Sequence, residues 1–241
     1  MFRFDEDMHV HSTWSDGKDT LEANLATAEA RGLRRLGFVD HVRRDSDWVS
    51  DYVAAIEALR PRTELSLEIG VEAKFLDRSG RLDCPELPPG VDRIYAADHQ
   101  FPDDDGCKKP SQILEELASG ARGRSQVFRA LAEATIGAVE KYPNVVIAHM
   151  FSILPKLRLS ENDVPLELIH RIAEAAEANG AEIEIDERWR CPNARTIGVF
   201  IEHGVPVRMS TDSHRARNIG IYAFNRQVLE KLKDRAIART A

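Results

Sequence analysis

The chain has 241 residues, of which 43% are hydrophobic and 30% are charged, and its formal net charge is −7. This composition predicts one soluble domain over residues 1–241, and the acidic excess argues against binding to long nucleic acids, which usually requires a basic face. The three cysteines are far apart and form no C-x-x-C pair, so neither a disulfide framework nor a thiolate zinc site is indicated.

The N-terminal stretch "MFRFDEDMHV" carries acidic residues where a signal peptide would need an apolar run. Nowhere do about eighteen uncharged apolar residues follow one another, as a membrane-spanning helix requires. We therefore expect a cytoplasmic protein without a membrane partner. The sequence leaves its oligomeric state open.

Short β-branched or aliphatic runs alternate with longer helical patterns along the chain. This alternation is typical of βαβ units around a parallel sheet. The predicted strands cover residues 4–10, 35–40, 66–72, 91–97, 145–149, 181–186 and 206–211. The sequence therefore predicts an α/β fold with seven parallel strands.

Three stretches between these strands carry clear helix signals. Residues 20–32 begin with a Thr20 cap and close at Gly32, residues 125–143 begin at a Ser125 cap, and residues 165–180 end in Asn-Gly. The most polar segment, 102–124, predicts a long loop with one short helix. It is a candidate lid over the mouth of the fold.

Residues that can bind metals lie at or just after the carboxyl ends of six predicted strands. They are His9 and His11 on the first, His41, Glu72, His99 and His149 on the next four, and Asp212 and His214 on the seventh. In a parallel barrel these ends open on one face. Histidine and carboxylate without thiolate suit zinc, manganese or iron, and the set exceeds what one ion can use. A cluster of two or three divalent ions is predicted.

Six separately placed motifs occur in order: "DMHVHSTWSDG", "FVDH", "GVEAK", "ADH", "IAHM" and "TDSH". Together they resemble the polymerase and histidinol phosphatase (PHP) superfamily, from Asp7 to about Gly220. The resemblance implies a distorted seven-stranded (β/α) TIM-like barrel that hydrolyses phosphate esters at a trinuclear metal centre.

The resemblance also implies how the ligands divide among the ions. The first ion would take His9, His11, Glu72 and Asp212, the second Glu72, His99 and His149, and the third Asp16, His41 and His214. Glu72, Asp212 and His214 are the predicted catalytic ligands. Asp7 is expected to support a ligand from outside the cluster, as carboxylates often do for metal-bound imidazoles.

A phosphate held partly outside the metals favours a guanidinium, which binds two oxygens at once. Arg188 and Arg190 follow the sixth strand, which shows no clear metal ligand, and they are the main candidates for substrate binding. Lys74 lies two residues past Glu72 and faces the same side of its strand. Arg215 and Arg217, beyond His214, are weaker candidates.

Three functions remain open at this point. A phosphoesterase acting on a small phosphomonoester such as histidinol phosphate, through hydroxide generated at the metals, agrees best with the short chain. A phosphodiesterase or nuclease acting on nucleotide ends is the alternative within the same chemistry. A metal-stabilised binding domain without turnover is the third, although the full ligand set argues against it.

Overall fold

The structure is a computed structural model that describes residues 3–84 and 89–240, without the side chains of residues 235–240. Its strands are β1 (Glu6–Val10), β2 (Arg35–His41), β3 (Ser66–Lys74), β4 (Arg93–Ala97), β5 (Phe101–Asp103), β6 (Gly106–Lys108), β7 (Val145–Ile147), β8 (Glu182–Asp186) and β9 (Val207–Ser210). Its helices are α1 (Leu21–Ala30), α2 (Val49–Glu57), α3 (Pro110–Ser119), α4 (Arg124–Lys141), α5 (Leu166–Ala178), α6 (Ala194–Glu202) and α7 (Phe224–Thr240). In the described part of the chain, no helix has the length and apolar character needed to cross a membrane.

Seven parallel strands form one sheet in the order β1-β2-β3-β4-β7-β8-β9. The sheet nearly closes on itself, because the backbone N–H of His11 donates to the carbonyl of Ser213 (2.9 Å) and the N–H of Ser213 donates to the carbonyl of His9 (3.2 Å). The predicted fold class, a distorted (β/α)7 barrel, is confirmed. Each predicted strand corresponds to one strand of this sheet.

The barrel is irregular at β1, close to the two histidines. Asp7 pairs with Leu36 and Val10 pairs with Phe38, so three steps along β1 face two steps along β2. Gly37 lies opposite this irregularity, where a Cβ atom would come within 2.5 Å of the carbonyl oxygen of Met8. Only glycine allows the two backbones to approach this closely.

The interior of the barrel has a polar floor and an apolar middle. At the amino-terminal end, the Arg208 guanidinium forms ion pairs with Glu68 and Glu182, and it lies 3.2 Å from the Tyr95 hydroxyl. Above this floor, small and aromatic side chains fill the lumen, namely Val39, Tyr95, Ala97, Val146 and Ala148. The main apolar core lies between the sheet and the surrounding helices. The carboxyl end of the barrel therefore remains for the polar site.

The helix signals were correct in most places. Thr20 caps α1, since its Oγ1 accepts a hydrogen bond from the N–H of Ala23 (3.3 Å). The predicted Ser125 cap is wrong, because α4 begins at Arg124 and Gly123 is its N-cap.

The polar segment 102–124 is more ordered than predicted. It contains most of a hairpin formed by β5 and β6, followed by the ten-residue helix α3. Asp103 fixes the hairpin through contacts of 2.6 Å with both Lys108 and Arg122. These partners come together only in the folded chain, and for that reason the local pattern read as a loop.

Candidate metal centre

The structure brings all nine predicted ligands to the carboxyl end of the barrel. His9 lies in β1, His41 ends β2, and Glu72 lies two residues before the end of β3. The other ligands follow the carboxyl ends of β1, β4, β7 and β9 within six residues. The nine are His9, His11, Asp16, His41, Glu72, His99, His149, Asp212 and His214. Each lies within 4 Å of at least one other member, so they form one continuous cluster.

Glu72 lies at the centre of this cluster and is 2% exposed. Its Oε1 is 2.9 Å from Nε2 of His99 and 2.8 Å from Nε2 of His149. Its Oε2 is 2.9 Å from Nδ1 of His41 and 3.5 Å from Nε2 of both His9 and His11. One carboxylate therefore contacts five imidazoles.

A second part of the cluster joins the two ends of the sheet. The rings of His9, on β1, and His11, directly after β1, lie side by side with centroids 4.9 Å apart. Nε2 of His11 is 2.9 Å from Oδ1 of Asp212, which follows β9. These three residues offer ligand atoms within 4.8 Å of one another.

The third part of the cluster surrounds Asp16 at the rim. Oδ1 of Asp16 is 3.1 Å from Nε2 of His214 and 3.5 Å from Nε2 of His41. His11 completes the group, with Nδ1 3.8 Å from the same oxygen. This is the four-residue group, among the described residues, whose ligand atoms lie close enough to hold one ion.

The unpaired polar atoms of the site fit metal ions. Nε2 of His9, both ring nitrogens of His11 and Oε2 of Glu72 are buried and make no hydrogen bond, although neighbouring groups lie within contact distance. A buried polar atom without a hydrogen bond is costly, and a bound cation would remove that cost. Imidazole nitrogens and carboxylate oxygens are the donors expected for zinc, manganese or iron.

The charges of the cluster favour ionised side chains. Burial raises the pKa of Glu72, but the neighbouring His99, His41 and His9 lower it more, and the net pKa lies well below the usual range. Burial lowers the pKa of His41, whereas Glu72 and Asp16 raise it, to about 10 overall. Carboxylates and imidazoles thus balance one another, and metal binding would release the imidazole protons.

Two ligands have backbone conformations that non-glycine residues rarely adopt. φ is 25° at His149 and 47° at Asp212. Such conformations cost about 1–3 kcal/mol each and persist only where surrounding contacts hold them. The carboxylate of Glu184 does so at one position, since its Oε1 accepts a 2.8 Å hydrogen bond from the backbone N–H of His149.

The sixth sheet strand, β8, contributes more than the sequence predicted. Oε2 of Glu184 lies 3.1 Å from Nδ1 of His9, and this contact orients the imidazole ring. Asp186, on the same face of β8, joins His9 and Glu184 in a further group of closely spaced ligand atoms. The alternation of acids in "AEIEID" was the available signal, because residues i and i+2 of a strand share a face.

Other contacts that support the ligands were also not predicted from the sequence. Oδ1 of Asp98 pairs with the hydroxyl of Ser152, which lies 3.1 Å from Nδ1 of His149. Asp40 accepts hydrogen bonds from the backbone and side chain of Ser12 (2.9 and 2.7 Å), directly after His11. Acidic residues beside a histidine motif give no local signal that tells supporting residues from ligands.

Asp7 supports the site in a different way from the one predicted. Among the described residues its carboxylate contacts no imidazole; it accepts hydrogen bonds from the backbone and hydroxyl of Thr211 (3.0 and 2.6 Å) and from the N–H of Gly220 (2.8 Å). Asp7 therefore fixes the segment that carries Asp212 and His214.

The three predicted substrate-binding residues separate in space. Arg188 reaches into the cluster, with Nη1 3.4 Å from Oδ1 of Asp212 and 2.9 Å from Nε2 of His214. Nζ of Lys74 is 3.6 Å from Oδ2 of Asp83 at the opposite side of the mouth. The Arg190 guanidinium lies over the Phe224 ring, 5.2 Å from its centre, so the predicted role for Arg190 has no support in this arrangement.

Two cavities flank the cluster. We name the first the tryptophan cavity; its volume is about 610 Å³, and it is lined by Trp14, Ser15, Asp16, His41, Val42, Arg43, Ser46, Trp48, Glu72, Lys74, Asp83, His99 and Gln100. We name the second the arginine cavity; its volume is about 450 Å³, and it is lined by Glu187, Arg188, Thr211, Asp212, His214, Arg215, Arg217, Asn218 and Ile221. Cluster residues line both, so a molecule bound at the cluster can extend into either.

Comparison with known proteins identifies a matching family and several similar proteins. The family model described as the PHP domain matches residues 7–188. Over 238 residues the chain is 25% identical to a probable phosphatase of Caldanaerobacter subterraneus subsp. tengcongensis. This alignment covers 94% of this chain and 82% of that protein. A 67-residue stretch is 43% identical to the phosphoribosyl 1,2-cyclic phosphate 1,2-diphosphodiesterase of Eggerthella lenta, but it spans only 28% of this chain and 21% of that protein.

A solved structure has the same fold. The histidinol phosphate phosphatase of Lactococcus lactis subsp. lactis, whose structure contains zinc, L-histidinol and phosphate, superposes with a TM-score of 0.68 and covers 94% of this chain and 93% of that chain. At 17% sequence identity, this likeness establishes the fold.

Proposed function

The chain belongs to the PHP domain family of metal-dependent phosphoesterases, and on that premise we propose that it hydrolyses a small phosphomonoester at a centre of three metal ions. The observation that carries the proposal is the position of Glu72, whose two oxygens contact five imidazoles between two other ligand groups. A single ion cannot use so many donors.

The proposed ligand sets are the ones that the family resemblance implies, and close contacts within each set support them, although His41 also lies close to Glu72 and His99. The sets are His9, His11, Glu72 and Asp212 for the first ion, Glu72, His99 and His149 for the second, and Asp16, His41 and His214 for the third. When bound, the ions supply hydroxide near neutral pH and neutralise phosphoryl oxygens. Glu72, Asp212 and His214 are the proposed catalytic ligands of these ions.

The chain's own contribution to substrate binding centres on Arg188. Its guanidinium lies beside Asp212 and His214 with nearly half of the side chain exposed, so it can turn toward a phosphate at the cluster. A guanidinium forms two parallel hydrogen bonds to a phosphate, which fixes the orientation of the group as well as its position. Arg188 would thereby hold the phosphoryl group in line with the attacking oxygen.

The tryptophan cavity is the proposed site for the alcohol part of the substrate. The rings of Trp14 and Trp48 are tilted by 31° with centroids 5.9 Å apart, and they give the cavity an apolar wall. Asp83 lines the same cavity, 3.6 Å from Nζ of Lys74, and offers a carboxylate oxygen to an amine of the substrate. Histidinol phosphate combines a ring with an amine, and the structural relative from Lactococcus lactis contains histidinol and phosphate, which supports it as a first substrate to test.

The proposal is tested by metal analysis followed by a substrate screen. Protein purified without chelators should contain at least two zinc, manganese or iron ions per chain after remetallation. It should release phosphate from histidinol phosphate or another small phosphomonoester faster than it cleaves cyclic or linear phosphodiesters and short oligonucleotides. Preferred cleavage of diesters would support the nuclease alternative, and full metal loading without any turnover would support a binding domain.

A further inference from the structure

The arginine cavity carries more positive charge than one phosphate clamp requires. Besides Arg188, it is lined by Arg215 and Arg217, which follow the cluster residue His214. No ion pair or side-chain hydrogen bond engages either of these two guanidiniums within the described residues. Two cations therefore face the cavity without a protein anion of their own.

The acidic residues of the cavity form no ion pair with Arg215 or Arg217 in the described part of the chain, and their carboxylates contact other groups. The oxygens of Glu187 accept hydrogen bonds from the backbone N–H groups of Phe224 (2.9 Å) and Asn225 (3.1 Å) at the start of α7. The oxygens of Asp212 are in contact with the histidines of the cluster and with the indole of Trp189. Arg215 and Arg217 are thus open to an anion from solution.

The backbone that presents the two arginines is held in place. Oδ2 of Asp19 accepts a 2.8 Å hydrogen bond from the N–H of Ala216, between the two arginines. The Arg31 guanidinium donates to the carbonyl oxygens of Arg217 (2.6 Å) and Ile219. A fixed backbone lowers the entropy lost when the side chains bind an anion.

We infer that Arg215 and Arg217 form a subsite for a second phosphate group of the substrate. The preferred substrate is then a small molecule with two phosphates, one hydrolysed at the cluster and the other bound in the arginine cavity. For such a substrate the arginine cavity, and not the tryptophan cavity, receives the alcohol part. A phosphate dianion matches two guanidiniums in charge and in its number of acceptor oxygens. This inference rests on the proposed function, because it assigns a substrate class to the same site.

The test compares bisphosphates with monophosphates that differ in nothing else. The substrates are linear alkanediol bisphosphates with three to six carbons, each paired with the monophosphate of the same diol. In the wild-type protein, kcat/KM for the best bisphosphate should exceed that of its monophosphate by about tenfold or more. In an Arg215→Ala/Arg217→Ala protein this ratio should fall close to one. The difference should appear mainly in KM, since the second phosphate does not take part in the reaction.

Two further variants and one binding measurement complete the design. Arg171→Ala removes an exposed arginine of α5 far along the chain from the cavity and should leave the ratio unchanged. The Arg215→Lys/Arg217→Lys variant should retain part of the preference for bisphosphates, because lysine keeps the positive charge but cannot form two parallel hydrogen bonds to one phosphate. Calorimetric titration with the matching, non-hydrolysable bisphosphonates and monophosphonates should show the same loss of preference.

The outcomes separate the subsite from the proposed function. Hydrolysis of monophosphates and bisphosphates with equal kcat/KM would overturn the second-phosphate subsite while the proposed function stands. Absence of hydrolysis, together with a bisphosphonate preference that the double Ala variant loses, would overturn the proposed function and retain the subsite. A preference that persists in the double Ala variant would also overturn the assignment to Arg215 and Arg217.

Discussion

The indole Nε1 of Trp189 donates a 2.7 Å hydrogen bond to Oδ2 of Asp212. The other oxygen, Oδ1, faces Nε2 of His11 at 2.9 Å and Nδ1 of His214 at 3.2 Å. Trp189 therefore binds one oxygen of the Asp212 carboxylate and orients the other oxygen toward the cluster. Nζ of Lys156 lies 4.2 Å from the centre of the Trp189 ring and holds the indole in this position.

Replacing Trp189 with Phe should weaken metal binding at Asp212 without unfolding the protein. The variant keeps an aromatic ring for Lys156 but loses the N–H donor that orients the carboxylate. Loss of such an outer hydrogen bond typically costs 10–100-fold in metal affinity. Competition with a chromophoric chelator measures the affinity, and Trp48→Phe, in the tryptophan cavity, is the matched control. Equal affinities in Trp189→Phe and the wild type would refute the orienting role.

Replacing Glu72 with Gln should remove more than one metal ion per chain. The amide keeps the side-chain shape but loses the negative charge and one good ligand oxygen, at a position that contacts five imidazoles. Metal content should fall and phosphate release should become undetectable against the wild type. Glu64→Gln, an exposed position before β3, serves as the control. A folded Glu72→Gln protein with full metal content and near-normal turnover would contradict the bridging position.

Replacing Arg188 with Ala should reduce kcat/KM by about one to two orders of magnitude while metal content stays constant. A charge-assisted hydrogen bond contributes about 1.5–3 kcal/mol, and about 1.4 kcal/mol corresponds to a tenfold change. Arg188→Lys should recover part of the loss, since a lysine cannot form the paired contact. Arg190→Ala is the internal control, because the structure places Arg190 against Phe224. A larger loss in the Arg190 variant than in the Arg188 variant would reverse the assignment.

Glu161 should make the stability of the metal-free protein depend on pH. Burial raises the pKa of Glu161 from 4.5 to about 7, and hydrogen bonds from Thr196 and from the N–H of Asn193 only partly offset this effect. A carboxyl with a higher pKa in the folded than in the unfolded protein binds a proton on folding. It therefore lowers the free energy of unfolding as the pH rises from about 4.5 to 7.

Glu161→Gln should remove this pH dependence. Relative to the wild type, the variant should gain up to about 2–3 kcal/mol of unfolding free energy between pH 5 and pH 8. Urea denaturation at the two pH values, with a chelator present, gives the difference, and Glu174→Gln, an exposed position on α5, is the control. The same wild-type-to-variant difference at both pH values would show that Glu161 is ionised throughout.

The sequence by itself determined where the strands and the ligands lie along the chain. Short β-branched or aliphatic runs identified all seven sheet strands, because strands that are buried on both faces of a parallel sheet are nearly continuous apolar segments. Histidines and acids at the strand ends then had to share one face, since parallel strands place their carboxyl ends together. The cluster around Glu72 was predictable for that reason.

The tertiary structure alone decided which neighbour each side chain meets. Glu184 contacts His9 across 175 positions of sequence, and Trp189 contacts Asp212 through an indole nitrogen that no motif specifies. Arg188 and Arg190 are two residues apart, yet one reaches the cluster and the other packs on Phe224, because Arg190 adopts a left-handed backbone with φ of 56°. Which neighbour a side chain contacts depends on the backbone direction in irregular loops. No repeating sequence pattern predicts that direction, and it becomes fixed only when distant segments pack against one another.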